Sequence, residues 1–125
     1  KKQQDTAVAE DEPIRTVKGV SVLVCRRDGL AAAEARAVMD ELKNRLKSGI
    51  GVLGAVSEGK ALLVVGVTKD LTGRIQAGTL IKKLAPLIGG GGGGRPDFAQ
   101  AGGSGIGELD KALEEAVRLI ESSLP

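Results

Sequence analysis

The sequence contains no histidine, tryptophan or tyrosine, and it has only one cysteine, one phenylalanine and one methionine. Without histidine, the chain lacks a residue that Ser-His-Asp and Cys-His catalysis require and that many zinc sites use. Without tryptophan or tyrosine, it lacks the usual stacking platforms for single-stranded nucleic acid. The lone Cys25 gives no disulfide framework, which fits a cytoplasmic protein. These absences exclude most hydrolytic mechanisms and predict an aliphatic core.

Long apolar runs are also missing, since none approaches the roughly 20 residues of a membrane helix, and no signal-peptide pattern opens the sequence. We therefore expect no membrane partner. The 125 residues, of which 42% are hydrophobic, fit one domain. Residues 1–16 are expected to form a polar tail or the end of a preceding helical segment, and residues 17–125 the globular domain.

The hydrophobic pattern predicts a compact single α/β domain in which helices pack on a mixed sheet. The predicted order is β-α-β-β-α-glycine-rich loop-α. Asp28 and Ser104 are candidate helix starts, and Pro86 is expected to kink the second helix or end it early. Strands are predicted over residues 17–26, 51–57 and 61–68, and helices over residues 30–46, 76–88 and 104–124.

Charge is unevenly distributed along the chain, although the net charge is only +2. Residues 60–95 contain six basic residues and one acidic residue, a local charge of +5, whereas residues 104–125 contain two basic and five acidic residues, a local charge of −3. We therefore expect the middle of the chain to face an anion.

Residues 89–103 read GGGGGGRPDFAQAGG, which places six consecutive glycines before Arg95, Pro96 and Asp97. Each ordered glycine costs about 0.5–1 kcal/mol relative to alanine, so the run needs an offsetting advantage. Bare amides that a phosphate or base can approach closely would provide one, and Arg95 would add a charged fork. A helix rather than a strand is predicted before the run, which argues against a dinucleotide fingerprint.

A purely structural interpretation of the same residues is also open. The glycines would then only let the loop pack closely under a helix, with Asp97 pairing with Arg95. Lys82 and Lys83 would be the solvated side of an amphipathic helix. Phe98 is expected to be a packing anchor rather than a base-stacking residue.

The glycine-rich segment closely resembles that of the DHHA1-type C-terminal domain of bacterial alanyl-tRNA synthetases. Residues 66–71 (GVTKDL) and 77–82 (AGTLIK) resemble the family's segments before the glycines, and the resemblance runs from about Val17 to Leu124. Phe98 departs from it, since methionine is common there. The resemblance implies a non-catalytic module that binds the elbow of alanine tRNA and helps link aminoacylation with editing.

The resemblance implies no cofactor for this fragment, whereas the parent enzyme uses ATP and zinc in other domains. Implied partners are tRNA, the other domains of the parent chain and a homodimeric copy. One alternative is a structural or dimerisation module, suggested by the apolar stripe of residues 109–124. Another is the substrate-holding end of a DHH-type phosphoesterase. The predicted nucleic-acid-binding residues are Lys69, Arg74, Lys82, Lys83, Gly91, Gly92, Gly93, Gly94, Arg95, Asp97 and Gln100.

Overall fold

A mixed sheet lies at the centre of the computed structural model, which describes residues 14–124. Its six strands are β1 (Ile14–Val17), β2 (Val20–Arg26), β3 (Gly49–Ser57), β4 (Lys60–Val67), β5 (Gly90–Gly94) and β6 (Phe98–Gly103). They lie in the order β1-β2-β3-β4-β6-β5, and β2–β3 is the only parallel pair. Strand β5 therefore forms one edge of the sheet.

Helices cover both faces of the sheet. Helix α1 (Ala32–Leu46) packs on one face, while α2 (Ala77–Leu84) and α3 (Leu109–Ser123) pack on the other. On the first face, Met39 and Leu42 meet Leu53 in a fully buried aliphatic layer, and Leu80 and Ile120 belong to the second layer. This architecture confirms the predicted α/β domain with a mixed sheet packed by helices.

The first predicted strand is two strands. Lys18 and Gly19 have φ angles of 51° and 85°, and Val17 pairs with Val20 across them. Two consecutive positive φ angles make the tight turn that joins antiparallel strands. The sheet thus begins at Ile14, within the predicted tail, while residues 1–13 of that tail lie outside the described residues.

Two predicted helix starts are wrong. The Asp28 carboxylate accepts a hydrogen bond from Arg26 Nε at 2.8 Å, and the first turn of α1 instead has Glu34 Oε1 accepting from Ala31 N at 2.9 Å. Ser104 does not cap α3, because a 3₁₀ turn over residues 106–108 comes first. The prediction for Pro86 is confirmed, since α2 ends at Leu84 and a 3₁₀ turn follows.

The glycine-rich segment is a β-hairpin rather than the predicted loop. Strands β5 and β6 pair antiparallel, and β6 also pairs with β4, from Gly66↔Phe98 to Ala61↔Gly103. Glycine has low strand propensity, so local sequence gave no strand signal here. The segment is extended because β4 pairs with β6, and β6 pairs in turn with β5.

Candidate nucleic-acid interface

The two kinds of glycine in β5 differ in what surrounds them. Arg95 N donates to Phe98 O at 2.8 Å. From this hydrogen-bonded pair onward, the residue pairs of the antiparallel hairpin alternate between closely spaced pairs without hydrogen bonds and more widely spaced hydrogen-bonded pairs. A Cβ added at Gly92 would lie 2.5 Å from the Ala101 Cα, and one at Gly94 would lie 2.5 Å from the Phe98 carbonyl oxygen. Glycine is therefore required at these positions by the sheet itself.

Gly91 and Gly93 lie on the opposite face of the hairpin, where an added Cβ would meet nothing within 4 Å. Gly93 pairs with Gln100, whose side chain is exposed, and Gly91 pairs with Gly102. Helix α1 packs on β2, β3 and β4 on this side of the sheet. We call Gly91, Gly93, Gln100 and Gly102 the open face of the hairpin. It presents bare main chain and one amide side chain to solvent.

Helix α2 packs against the other face of the hairpin, where Ala99 and Ala101 of β6 are buried while the glycines of β5 stay exposed. A Cβ added at Gly78 would lie 3.1 Å from the Gly94 carbonyl oxygen, and Ala77 N donates to Pro96 O at 2.8 Å. Because residues four apart share one side of a helix, Lys82 follows Gly78 on the side next to β5. Lys83 instead follows Thr79, which lines a cleft of about 210 Å³ together with Arg74 and with Ser123 near the end of α3. The structure therefore separates the two lysines.

The turn between β5 and β6 gathers two basic residues around one carboxylate. Arg95 Nε lies 3.8 Å from Asp97 Oδ1, and Lys43 Nζ lies 3.9 Å from Asp97 Oδ2. The Arg95 side chain is 68% exposed, whereas those of Asp97 and Lys43 are 26% and 19% exposed. Arg95 is thus the member of this cluster that faces solvent most openly.

Lys69 and Arg74 lie on the segment that leads from β4 into α2. Both ends of this segment are tied to the hairpin turn, because Val67 N donates to Asp97 O at 2.9 Å and Ala77 N donates to Pro96 O. Lys69 and Arg74 are exposed. They therefore lie at the same end of the sheet as Arg95.

Asp70 is the one acidic residue of the 60–95 region, and neighbouring hydroxyl groups stabilise its ionised carboxylate. The hydrogen bond from Ser48 Oγ, then one from Thr68, lowers the pKa of the Asp70 carboxyl, and Arg74 contributes a smaller electrostatic effect in the same direction. Asp70 therefore stays ionised to more acidic pH than an ordinary aspartate. It ties the β4–α2 segment to Ser48, which precedes β3.

Charge divides along the face that α2 and α3 share. Helix α2 packs on β4, β5 and β6, whereas α3 packs on β2 and β3. The exposed Lys82 and Lys83 lie on α2, and the exposed Asp110, Glu114 and Glu121 lie on α3. Asp110 accepts a hydrogen bond from Arg26 Nη1 at 2.8 Å. The hydrogen bond with Asp28, then the one with Asp110, raises the pKa of Arg26. The charged residues of α2 are thus all basic, whereas α3 also carries the exposed Lys111 and Arg118 and is acidic only in net charge.

The residues predicted to bind nucleic acid lie on the hairpin, on its turn, on the segment bonded to that turn and on α2. We call Lys69, Arg74, Lys82 and Arg95 the basic rim. Arg95 lies in the hairpin turn and Lys82 on the side of α2 next to β5, while Lys69 and Arg74 lie on the segment whose ends bond to that turn. Lys83 lies outside the rim, Gln100 lies on the open face, and Gly92 and Gly94 are fixed by strand packing. Lys43 was missed, because it lies on α1, 54 residues from the Asp97 that it contacts. No short-range pattern indicates such a contact.

Within residues 14–124, no helix has both the length and the apolar character needed to cross a bilayer. In this same part of the chain, no three His, Cys, Asp or Glu side chains lie close enough together to hold a metal ion.

Comparison with known proteins gives a consistent family. The model of the DHHA1 domain matches residues 19–122. The chain is 51% identical over 108 residues to an alanine–tRNA ligase of Pseudomonas savastanoi pv. phaseolicola, an alignment that covers 86% of this chain and 12% of that protein. A ligase of Pseudomonas entomophila is 49% identical over the same length. The chain therefore spans about an eighth of the length of these relatives.

Solved structures share the fold. The C-Ala domain of Aquifex aeolicus alanyl-tRNA synthetase superposes with a TM-score of 0.80 at 24% identity, covering 87% of this chain and 98% of that domain. A pGpG-specific phosphodiesterase of Vibrio cholerae superposes with a TM-score of 0.55 at 15% identity, covering 88% of this chain and 36% of that one. The predicted resemblance to the C-terminal, non-catalytic domain of alanyl-tRNA synthetase is confirmed, and the chain belongs to the DHHA1 domain family.

Proposed function

We propose that this domain is a tRNA-binding module of an alanine–tRNA ligase and that the β5 edge with its basic rim is the binding surface. The observation that supports the proposal most directly is the position of Arg95, 68% exposed beside a strand without side chains. Bare main chain permits close approach of an RNA backbone, and the guanidinium supplies a planar donor for phosphate. Opposite charge on α3 would orient the RNA toward this edge.

The contacts are assigned by chemistry. Arg95, Lys82, Lys69 and Arg74 would contact phosphates and position the RNA. Gln100 and the amides of the open face would meet sugar or base edges, which carry the discrimination between ligands. Because phosphate contacts are independent of sequence, we expect recognition of folded tRNA shape, and the elbow of tRNA is the proposed target.

The larger role follows from the relatives. As the C-terminal domain of a synthetase, the module would act in the cytoplasm with the other domains of the parent chain. It would hold the body of a tRNA while the acceptor end is charged or edited elsewhere. A link between aminoacylation and editing is therefore part of this proposal.

The alternative of a dimerisation module was suggested by the apolar stripe of residues 109–124, and burial of that stripe removes this support. Leu109, Leu113, Ala116 and Ile120 are buried within the domain itself. The apolar stripe of α3 thus covers the sheet and is not available to a second chain. The phosphoesterase alternative rests only on a shared fold, which does not imply function.

Titration of the domain with alanine tRNA at several salt concentrations tests the proposal. Single-stranded DNA of equal length serves as the competitor. We expect tRNA to bind more tightly than the DNA, because shape recognition adds to generic charge. Equal affinity for both ligands at every salt concentration would show that binding is only nonspecific electrostatic attraction, and it would contradict the proposal.

Arg95→Ala tests the assignment of the surface. We expect it to weaken tRNA binding about tenfold, since a charge-assisted hydrogen bond is lost. The slope of log affinity against log salt should flatten by about 0.7. Arg118→Ala is the matched control, because Arg118 is 77% exposed on the acidic α3 and its removal changes the net charge equally. If the two variants behave alike, the β5 edge is not the site.

A further inference from the structure

Asp97 is the predicted nucleic-acid contact whose surroundings least suit that role. Its carboxylate lies within 4 Å of both Arg95 and Lys43, and its side chain is only 26% exposed. An ionised carboxylate accepts hydrogen bonds and donates none, so it repels the phosphates that Arg95 would attract. Asp97 therefore needs a role other than direct contact with RNA.

The main chain of Asp97 is held by hydrogen bonds to its carbonyl oxygen. The Asp97 carbonyl oxygen accepts hydrogen bonds from Val67 N at 2.9 Å and from Lys43 Nζ at 3.2 Å. These contacts join the hairpin turn to β4 and to α1. Lys43 Nζ also lies near the carboxylate, but the bond from Val67 N does not involve the side chain, so the turn has one main-chain tie that a change of the carboxylate does not remove.

We propose that Asp97 is a specificity-determining residue that holds Arg95 in position and suppresses the binding of flexible polyanions at the β5 edge. The inference rests on the proposed function of that edge. A flexible polyanion responds mainly to net positive charge, which the Asp97 carboxylate lowers. A folded RNA that presents its phosphate at one place gains instead from an arginine that is already oriented.

The test is Asp97→Asn, assayed with alanine tRNA and with single-stranded DNA of equal length. We expect affinity for the DNA to rise about two- to fivefold, the range of a partly exposed ion pair, and its salt slope to steepen by about 0.7. The tRNA affinity should rise less or fall, so that the ratio of tRNA to DNA affinity decreases. Equal changes for both ligands, no change, or an increased ratio would each overturn the inference.

Glu114→Gln is the matched control for charge, since it removes one carboxylate from the exposed side of α3. We expect it to leave the ratio unchanged, and a decrease as large as that of Asp97→Asn would overturn the inference. A second comparison uses the Arg95→Ala background. There Asp97→Asn should no longer lower the ratio, because its partner is gone. A lowered ratio would show that Asp97 acts without Arg95, which also overturns the inference.

Failure of the proposed function and unfolding of the variant can both be told apart from failure of this inference. If the unmodified domain does not prefer tRNA over DNA, the proposed function fails. If Asp97→Asn unfolds in a thermal melt, Asp97→Glu takes its place. That variant keeps the charge but displaces it by one methylene, so tRNA affinity should fall while DNA affinity stays unchanged. A rise in DNA affinity would overturn the inference.

Discussion

The two faces of the β5–β6 hairpin place opposite demands on the same run of glycines. On the face against which α2 packs, a Cβ at Gly90, Gly92 or Gly94 would overlap the main chain of β6. On the open face, a Cβ at Gly91 or Gly93 would meet nothing within 4 Å. A uniform sequence thus divides into positions that the fold requires and positions that the fold leaves free. At the latter positions the proposed RNA contact would account for glycine.

Gly92→Ala gives the largest expected effect. The added Cβ has no space beside Ala101, so strand β5 must shift. We expect a loss of about 1–3 kcal/mol, as for other overpacked sites, and a melting temperature lower by about 4–8 °C per kcal/mol. Gly91→Ala is the matched control and should be neutral or slightly stabilising. Equal losses in urea or thermal unfolding would contradict the division between the two faces.

Gly93→Glu tests the open face as a binding surface. The domain should remain as stable as the unmodified one, because the side chain projects into open space. Its affinity for tRNA should fall about tenfold, since a carboxylate then faces phosphates. Gly107→Glu adds the same charge at another open position, before α3, and should leave binding near its original value. Binding that survives in Gly93→Glu would remove the open face from the interface.

Lys82→Ala and Lys83→Ala compare the two sides of α2. Lys82 lies on the side of Gly78, next to β5, and its loss should flatten the salt slope of tRNA binding by about 0.7. Lys83 lies on the side of Thr79, away from β5, and its loss should change the slope less. A larger change in slope for Lys83→Ala would indicate that the RNA binds nearer α3 than the β5 edge.

Asp70→Asn gives the smallest expected effect and concerns neither face of the hairpin. Because the pKa of Asp70 is lowered in the folded domain, its ionised form adds stability above the ordinary aspartate pKa of about 3.9. That contribution is lost as the pH falls through the lowered folded value. Urea unfolding should therefore separate Asp70→Asn from the unmodified domain at pH 7, and the difference should vanish in strong acid. A difference that grows on acidification would contradict this sign.

The sequence predicted the elements whose own residues specify them. Helix α1 buries Ala35, Val38, Met39, Leu42 and Leu46, as the helical period predicts. Strand β5 could not be predicted in this way, because five glycines carry no alternation of apolar and polar residues. Its extended form depends on β6, which in turn pairs with β4 about 35 residues away in sequence. The extended conformation of β5 is therefore set by tertiary strand pairing and not by the local sequence pattern.

The candidate site was predictable to the same extent. Charge counting selected Arg95, Lys82, Lys69 and Arg74 as candidates, since all lie within one basic region of the sequence. The same count could not separate Lys82 from Lys83 or reveal Lys43 beside Asp97. Those distinctions depend on helix phase against β5 and on a contact between α1 and the hairpin turn.

Phe98 has a consequence for how the hairpin can be observed. It is the only aromatic residue of the chain, it is 9% exposed at the start of β6, and Arg36 Cζ lies 4.9 Å from the centre of its ring. Fluorinated phenylalanine would thus label one position next to Asp97 and give a single resonance. A second resonance on addition of RNA would reveal another arrangement of the hairpin without any assignment of the spectrum.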